Sequence, residues 1–350
     1  MFYALFGLFF LLGAGVVLYA QGWRFDFLTW HAEKVGGIFV RSFPENADIF
    51  VNGKSVPNGS GFFSFSAGTL ISDLFPRTYK LSLKATGYDA WTENAPVLPS
   101  FVTTFEHAVL VPSAPATTIV ATSTIEHGET LTKSASGAYL LYDPAEAMTT
   151  TLKIPANAEN PALGPPPFIA WTKFDEASDT SEIVIYNLGM GAEATSTATL
   201  PGNTVTLKWI GSNALGAIQN DNTLYLYTIN TGQFQQLADD VKDFAGAGDG
   251  SILAALEHHS LEIFPFTNAE TYARFNLPDV ADAESVIWYK DLTHLFVVYP
   301  DHVAFLDLDD LALTNFTTVA SGTAPSYNAT TNELTLTTPS GTLARFDFPE

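Results

Sequence analysis

Five similar hexapeptides recur along the C-terminal two thirds of the chain: "IVIYNL" from Ile183, "LYLYTI" from Leu224, "LEIFPF" from Leu261, "VAFLDL" from Val303 and "LARFDF" from Leu343. Their starts lie 41, 37, 42 and 40 residues apart. A weaker sixth copy, "AYLLYD" from Ala138, precedes the first of these by 45 residues. Regular self-similarity of this length constrains the fold more than any single motif, because each unit must bury its apolar face against a like neighbour. Each hexapeptide follows an earlier strand and a turn-rich segment, as in "KWIGSNALGAIQNDNTLYLYTI". The unit is therefore several antiparallel strands joined by tight turns.

A period of about 40 residues built of short strands is the pattern of a β-propeller blade. Residues 114–350 divide by that period into about six blades, with five or seven as the alternatives. An open row would leave strand edges unpaired, so a closed ring is expected. "TTIVATS", Thr117 to Ser123, is placed to complete the last blade. Trp171, Trp209 and Trp288 begin or closely precede the first strands of successive blades and are read as packing between them.

Residues 36–112 form a separate all-β unit. "GGIFVRSF", "DIFVNGK" and "YKLSLKA" alternate apolar and polar residues at period two, and "FVTTFEHAVLV" supplies a longer last strand. Pro44-Glu45-Asn46-Ala47 suits a turn, and Asn52-Gly53 is a favoured type I′ hairpin pair. With "LFPRTYKLSL" from Leu74 and "GYDAW" from Gly87, these motifs resemble the PEGA domain, a small β-sandwich of bacterial and archaeal surface proteins. Asn46 stands where the family motif has glycine, and Arg77 where its later turn usually has another. The resemblance covers about a fifth of the chain and implies a structural module, with Tyr88 and Trp91 as core anchors.

Residues 1–20, "MFYALFGLFFLLGAGVVLYA", carry no charged side chain, and about twenty apolar residues match a hydrocarbon core of roughly 30 Å. The expectation is a transmembrane anchor over residues 1–22, followed by a juxtamembrane linker over 23–35 in which Trp23, Arg24 and Trp30 mark the interface. A cleaved signal peptide would have a shorter apolar core, a basic leading region and a better small-residue site than Leu18-Tyr19-Ala20. Charge alone does not set the orientation. The combination resembles membrane-anchored bacterial envelope proteins, which implies a single-pass cell-membrane protein with its soluble domains outside the cytoplasm.

The formal charge of −22 argues against a nucleic-acid partner, and the lack of cysteine removes disulfides, thiolate metal sites and a cysteine nucleophile. No Gly-x-Ser-x-Gly elbow, zinc helix or phosphate loop is present. "EHHSLE", Glu257 to Glu262, is the richest collection of metal-ligating types, but in strands adjacent side chains face opposite ways, so His258 and His259 would not converge on one ion, and the stretch reads as a blade hairpin with solvated polar residues. "DLDD", Asp307 to Asp310, lacks the glycine and distal glutamate of a calcium loop. "GAGDG", Gly246 to Gly250, reads as a turn, and "FDEASDTSE", Phe174 to Glu182, as a solvated hairpin loop.

No residue is thus singled out as catalytic, cofactor-binding or metal-ligating, and no cofactor is expected. The reading that follows is a membrane-anchored envelope binding or scaffolding protein whose propeller recognises a polypeptide or an envelope glycan. Two alternatives stand beside it: a glycan-active enzyme with paired carboxylates in the channel, and a purely structural surface component.

Overall fold

The computed structural model describes residues 2–27, 29–57, 68–120, 130–143, 148–152, 154–155, 157–164, 168–187, 194–211, 213–229, 231–248, 250–265, 272–278, 282–310 and 312–350. It consists of one helix and many short strands, gathered into two compact units. Unit 1 comprises Met1–Thr117, Ala312–Val319 and Arg345–Glu350; unit 2 comprises Thr118–Leu311 and Ala320–Ala344.

Unit 1 begins with helix α1 (Phe2–Ala20), which ends before Gly22 at a φ of 84°. Among the described residues no helix is long and apolar enough to cross a membrane, which overturns the expected anchor over residues 1–22 and the single-pass placement built on it. The 19 residues of α1 rise to about 28 Å at about 1.5 Å each, short of a hydrocarbon core of roughly 30 Å. Gly7, Gly13 and Gly15 also bring no apolar side chain to it. The expected linker is likewise structured: β1 (Trp23–Asp26) and β2 (His31–Lys34) pair as an antiparallel ribbon. Arg24 closes this region by stacking on the Tyr19 ring at 3.6 Å and pairing with Asp73 at 2.7 Å.

The rest of unit 1 is two small sheets around one core. The strands are β3 (Gly36–Phe43), β4 (Asp48–Val51), β5 (Lys54–Val56), β6 (Thr69–Leu74), β7 (Thr78–Lys84), β8 (Trp91–Pro96) and β9 (Val102–Val109). One sheet runs β6-β3-β9, with β3 and β9 parallel; the other runs β5-β4-β7-β8. Period-two alternation points Ile38 and Val40 of the first sheet at Ile49, Leu81, Leu83 and Trp91 of the second. Tyr88 is half-buried against the same core. Asn52 and Gly53 form the two-residue turn between β4 and β5, with φ of 48° and 76° as a type I′ turn demands. The segment around Asn315 joins this unit by side-chain bonds: Oδ1 accepts the Thr92 N–H at 2.9 Å and Nδ2 donates to Glu93 at 3.2 Å.

Unit 2 is a succession of antiparallel meanders. After β10 (Thr117–Val120) come β11 (Thr130–Lys133), β12 (Tyr139–Asp143) and β13 (Met148–Leu152), the last three forming a three-stranded sheet. Four-stranded sheets follow. The first holds β14 (Glu159–Leu163), β15 (Phe168–Asp175), β16 (Thr180–Asn187) and β17 (Ala194–Pro201). The second holds β18 (Thr204–Ile210), β19 (Ala214–Gln219), β20 (Leu224–Thr228) and β21 (Gln233–Ala238). The third holds β22 (Asp243–Gly246), β23 (Ile252–Leu256), β24 (Ser260–Pro265) and β25 (Ala273–Asn276). The fourth holds β26 (Ser285–Trp288), β27 (His294–Val298), β28 (His302–Asp307) and β29 (Thr317–Ser321). The last sheet, of β30 (Thr323–Asn328), β31 (Glu333–Thr337) and β32 (Thr342–Asp347), is completed by β10 beside β32.

The repeat read from the sequence is therefore present as strands. Each hexapeptide falls on the third strand of a meander, and the Ala138 copy on the middle strand of the three-stranded sheet. The propeller is not: the sheets are several and small, and none is closed or propeller-like. The physical reason is that a period encodes the local meander and its apolar faces, whereas closure depends on contacts no period specifies.

Neighbouring meanders meet through large side chains seated on small ones. Trp209 of β18 donates its Nε1–H to the Ala162 carbonyl of β14 at 3.0 Å, and Trp288 of β26 to the Ala245 carbonyl of β22 at 2.8 Å. Trp171 lies on a second strand rather than a first and is buried beside Tyr186. Gly216 faces the Phe244 ring so closely that a Cβ there would collide with it.

Two substitutions test these assignments by urea unfolding. Gly53→Val is expected to cost about 1–2 kcal/mol, because a β-branched residue resists positive φ. Gly216→Ala is expected to cost about 1–3 kcal/mol by overpacking. Combined with Phe244→Leu, its loss should fall below the sum of the single losses. Additive losses would show that Gly216 does not exist to admit Phe244.

Candidate functional site

Among the described residues, the third and fourth four-stranded sheets enclose a cleft with a volume of about 320 Å³. Strand alternation builds one wall. Leu261 and Ile263 stand opposite Phe275 and Ala273 on one face of the sheet, while Glu262 and Arg274 pair on the other. Ile263, Ala273 and Phe275 line the cleft with Ile252 of β23, and Tyr272 stands at its rim with 80% of its surface exposed. On the polar face Arg274 binds Glu257 at 2.6 Å and Glu262 at 2.9 Å.

Two tight turns supply the opposite wall, through Leu292 and Thr293 between β26 and β27 and through Leu308 and Asp309 after β28. Each is held by an aspartate that turns back on its own backbone. Asp291 Oδ1 accepts the N–H groups of Thr293 at 3.0 Å and His294 at 3.1 Å, which supports Leu292 at a φ of 64°. Asp307 Oδ1 accepts the Asp309 N–H at 2.9 Å. Asp307 ends β28, and both it and Asp310 are buried.

His294 joins the two turns. Its side chain is 1% exposed, with Nδ1 at 2.7 Å from Asp291 Oδ2 and Nε2 at 3.7 Å from Asp307 Oδ2. The second distance is an ion pair rather than a hydrogen bond. Phe305 stacks on the imidazole at 4.9 Å, Tyr289 meets it edge-on at 6.0 Å and the Thr293 hydroxyl lies at 3.1 Å from Nδ1. Burial alone would lower the imidazole pKa, but the hydrogen bond to Asp291 and the charge of Asp307 outweigh it and raise it from 6.5 to about 9. Asp291 moves the opposite way: its burial favours the neutral acid, yet the His294 contact holds it below the ordinary carboxylate value. Beside this cluster Asn332 accepts the Tyr327 hydroxyl at 2.7 Å and donates to the Tyr289 oxygen at 3.0 Å. Burial pushes the Tyr327 phenol upward.

The other acidic and histidine-bearing stretches resolve differently. His258 and His259 occupy the turn of the hairpin between β23 and β24, and both approach Asp282, at 3.2 and 3.3 Å, where Lys242 also binds at 2.9 Å. Lys242 chiefly, and His258, keep the Asp282 pKa low. Among the described residues no group of three or more metal-ligating side chains is arranged to hold an ion. The loop from Phe174 to Glu182 is a hairpin in which Asp175 caps Ala177 and accepts the Ser178 hydroxyl at 2.8 Å. Gly246 lies in β22 and Gly250 turns at a φ of 71°, while Asp249 lies outside the described residues. Sequence reasoning missed His294 and the cleft. The signal was Asp291 three residues before a histidine that opens an otherwise apolar strand, "HLFVV".

A scan against protein-family models finds no match to this chain, so the PEGA resemblance rests on its own motifs. A search of curated proteins also finds no match.

The His294 cluster carries a pH prediction. A folded pKa above the unfolded one contributes stability that is complete below about pH 6.5 and lost as pH rises through about 9. The contribution is on the order of 3 kcal/mol. Thermal melts of the full chain should therefore show a decline across that window that His294→Gln abolishes. A decline of equal size in the variant would place its origin elsewhere.

Proposed function

We propose that the protein is a binding or scaffolding module that recognises a polypeptide. The observation that carries this reading is the cleft, apolar on both walls and bordered by the exposed Tyr272 ring. Its volume of about 320 Å³ sits near the low end of small-ligand sites, roughly 300–1,000 Å³, and suits one or two apolar side chains. A rigid sheet wall facing two turns is also the arrangement in which loops serve recognition. The PEGA-like unit fits the same reading as a spacer, a role that needs no reactive groups. Glycosidase chemistry would call for two carboxylates flanking the bound sugar, and of the residues lining the cleft Asp309 alone carries one.

Panning of the immobilised full chain against a random peptide library, beside a glycan array, tests this function. Enriched peptides that no longer bind Ala273→Trp, in which the indole occupies the cleft, are the expected result. Tyr272→Ala should weaken them by about 0.5–1.5 kcal/mol while leaving the thermal melt unchanged, because its ring is exposed. Binding confined to glycans, or peptides indifferent to Ala273→Trp, would overturn the assignment.

A further inference from the structure

We infer that the cleft receives an extended, basic polypeptide segment that adds as a strand beside β25 and lowers one apolar side chain between the two walls. The inference rests on the polypeptide-binding reading and deepens it by naming how the partner is held and which chemistry it carries.

Three observations converge on this occupant. β25 is the terminal strand of its sheet, paired on one side with β24, so along its other side runs a row of backbone groups outside the sheet. An extended peptide pairs with such an edge through main-chain hydrogen bonds, and alternate side chains then fall on one face. That face is the one that matters. Ala273 and Phe275 point into the cleft from β25, so side chains of an added strand on the same face approach Leu292 and Leu308.

The charge of the partner follows from the far wall. Asp309 lines the cleft, and the protein as a whole carries −22. A lysine or arginine beside the inserted apolar residue meets that field, whereas an acidic segment is repelled. On the opposite face of β25, Arg274 is already held by Glu257 and Glu262, so it offers no competing site for acids there.

The occupant is tested by fluorescence anisotropy on the full chain. The probe is a labelled short peptide of β-favouring residues with one central leucine flanked by lysines. Replacing the leucine by alanine should weaken binding about tenfold or more, the effect of removing one buried aliphatic side chain. Exchanging the lysines for glutamates should weaken it at low salt, with the difference shrinking as ionic strength rises. N-methylation of alternate backbone amides on the edge facing β25 should abolish binding, while methylation of the other set should not. In the protein, Asp309→Asn should narrow the preference for lysine over glutamate.

Equal binding of the lysine and glutamate peptides, or indifference to both methylation patterns, overturns this inference. Library peptides that bind in the cleft in spite of such indifference would leave the polypeptide-binding function standing. No peptide binding at all would remove both.

Discussion

The seating of a large side chain from one meander on a small residue of its neighbour is the interaction on which unit 2 depends. A single meander of such a repeat cannot bury its apolar face alone, so its faces must be covered by the next. The junctions are made by the same means. Trp209 reaches Ala162, Phe244 covers Gly216, Ile210 lies on Gly246 and Trp288 reaches Ala245. The tryptophans add a hydrogen bond to this packing, which satisfies the indole N–H and fixes one carbonyl of the neighbouring first strand. Because the small residues admit no Cβ or little beyond it, the spacing between adjacent meanders is set by aromatic and branched side chains rather than by loops.

Burial on both faces then dictates where polar groups are tolerated. Every residue of β19 and of β27 is buried, so neither strand has a solvent face and each reads as a nearly continuous apolar run. Polar residues appear at the strand ends, and there they are paired. Gln219 at the end of β19 donates to the Thr204 hydroxyl at 3.0 Å, and Asp243 at the start of β22 accepts the Val286 N–H at 3.2 Å and pairs with Lys208. His294, opening β27, belongs to this series. What distinguishes it is the group that titrates: an imidazolium between two carboxylates couples this strand end to proton concentration.

How much was legible in the sequence follows from the same division between local and non-local constraints. Asn52-Gly53 announced its turn because the backbone conformation it requires is a property of two residues, and the hexapeptides marked third strands because an apolar run bounded by turns has one local solution. The placement of β10 beside β32 was legible for a related reason, since a sheet ending at β32 leaves an edge to be covered. Closure into a ring and a membrane span were read from repeat number and from apolar length, and neither follows from local pattern. His258 and His259 show the converse error. The rule that neighbours face apart holds in strands, and these two sit in a turn where both reach Asp282. His294 stayed hidden because its partners lie on both sides of it, Asp291 in one turn and Asp307 at the end of another strand, and only the pairing of β27 with β28 brings them together.

The cleft occurs where the packing rule runs out. Between the third and fourth meanders the first strands are joined by Trp288 on Ala245, and adjacent sheets twist relative to one another, so strands farther from that junction diverge. Divergence has to be filled or left open. At the corresponding position Ala273 offers only a methyl group, and the turns opposite present Leu292 and Leu308 without an aromatic to bridge the gap. The turns do not collapse inward, because Asp291 and Asp307 hold their backbones and His294 ties the two carboxylates from behind. The buried ion cluster thus keeps one wall of an apolar cleft standing where the scaffold supplies no side chain to fill it.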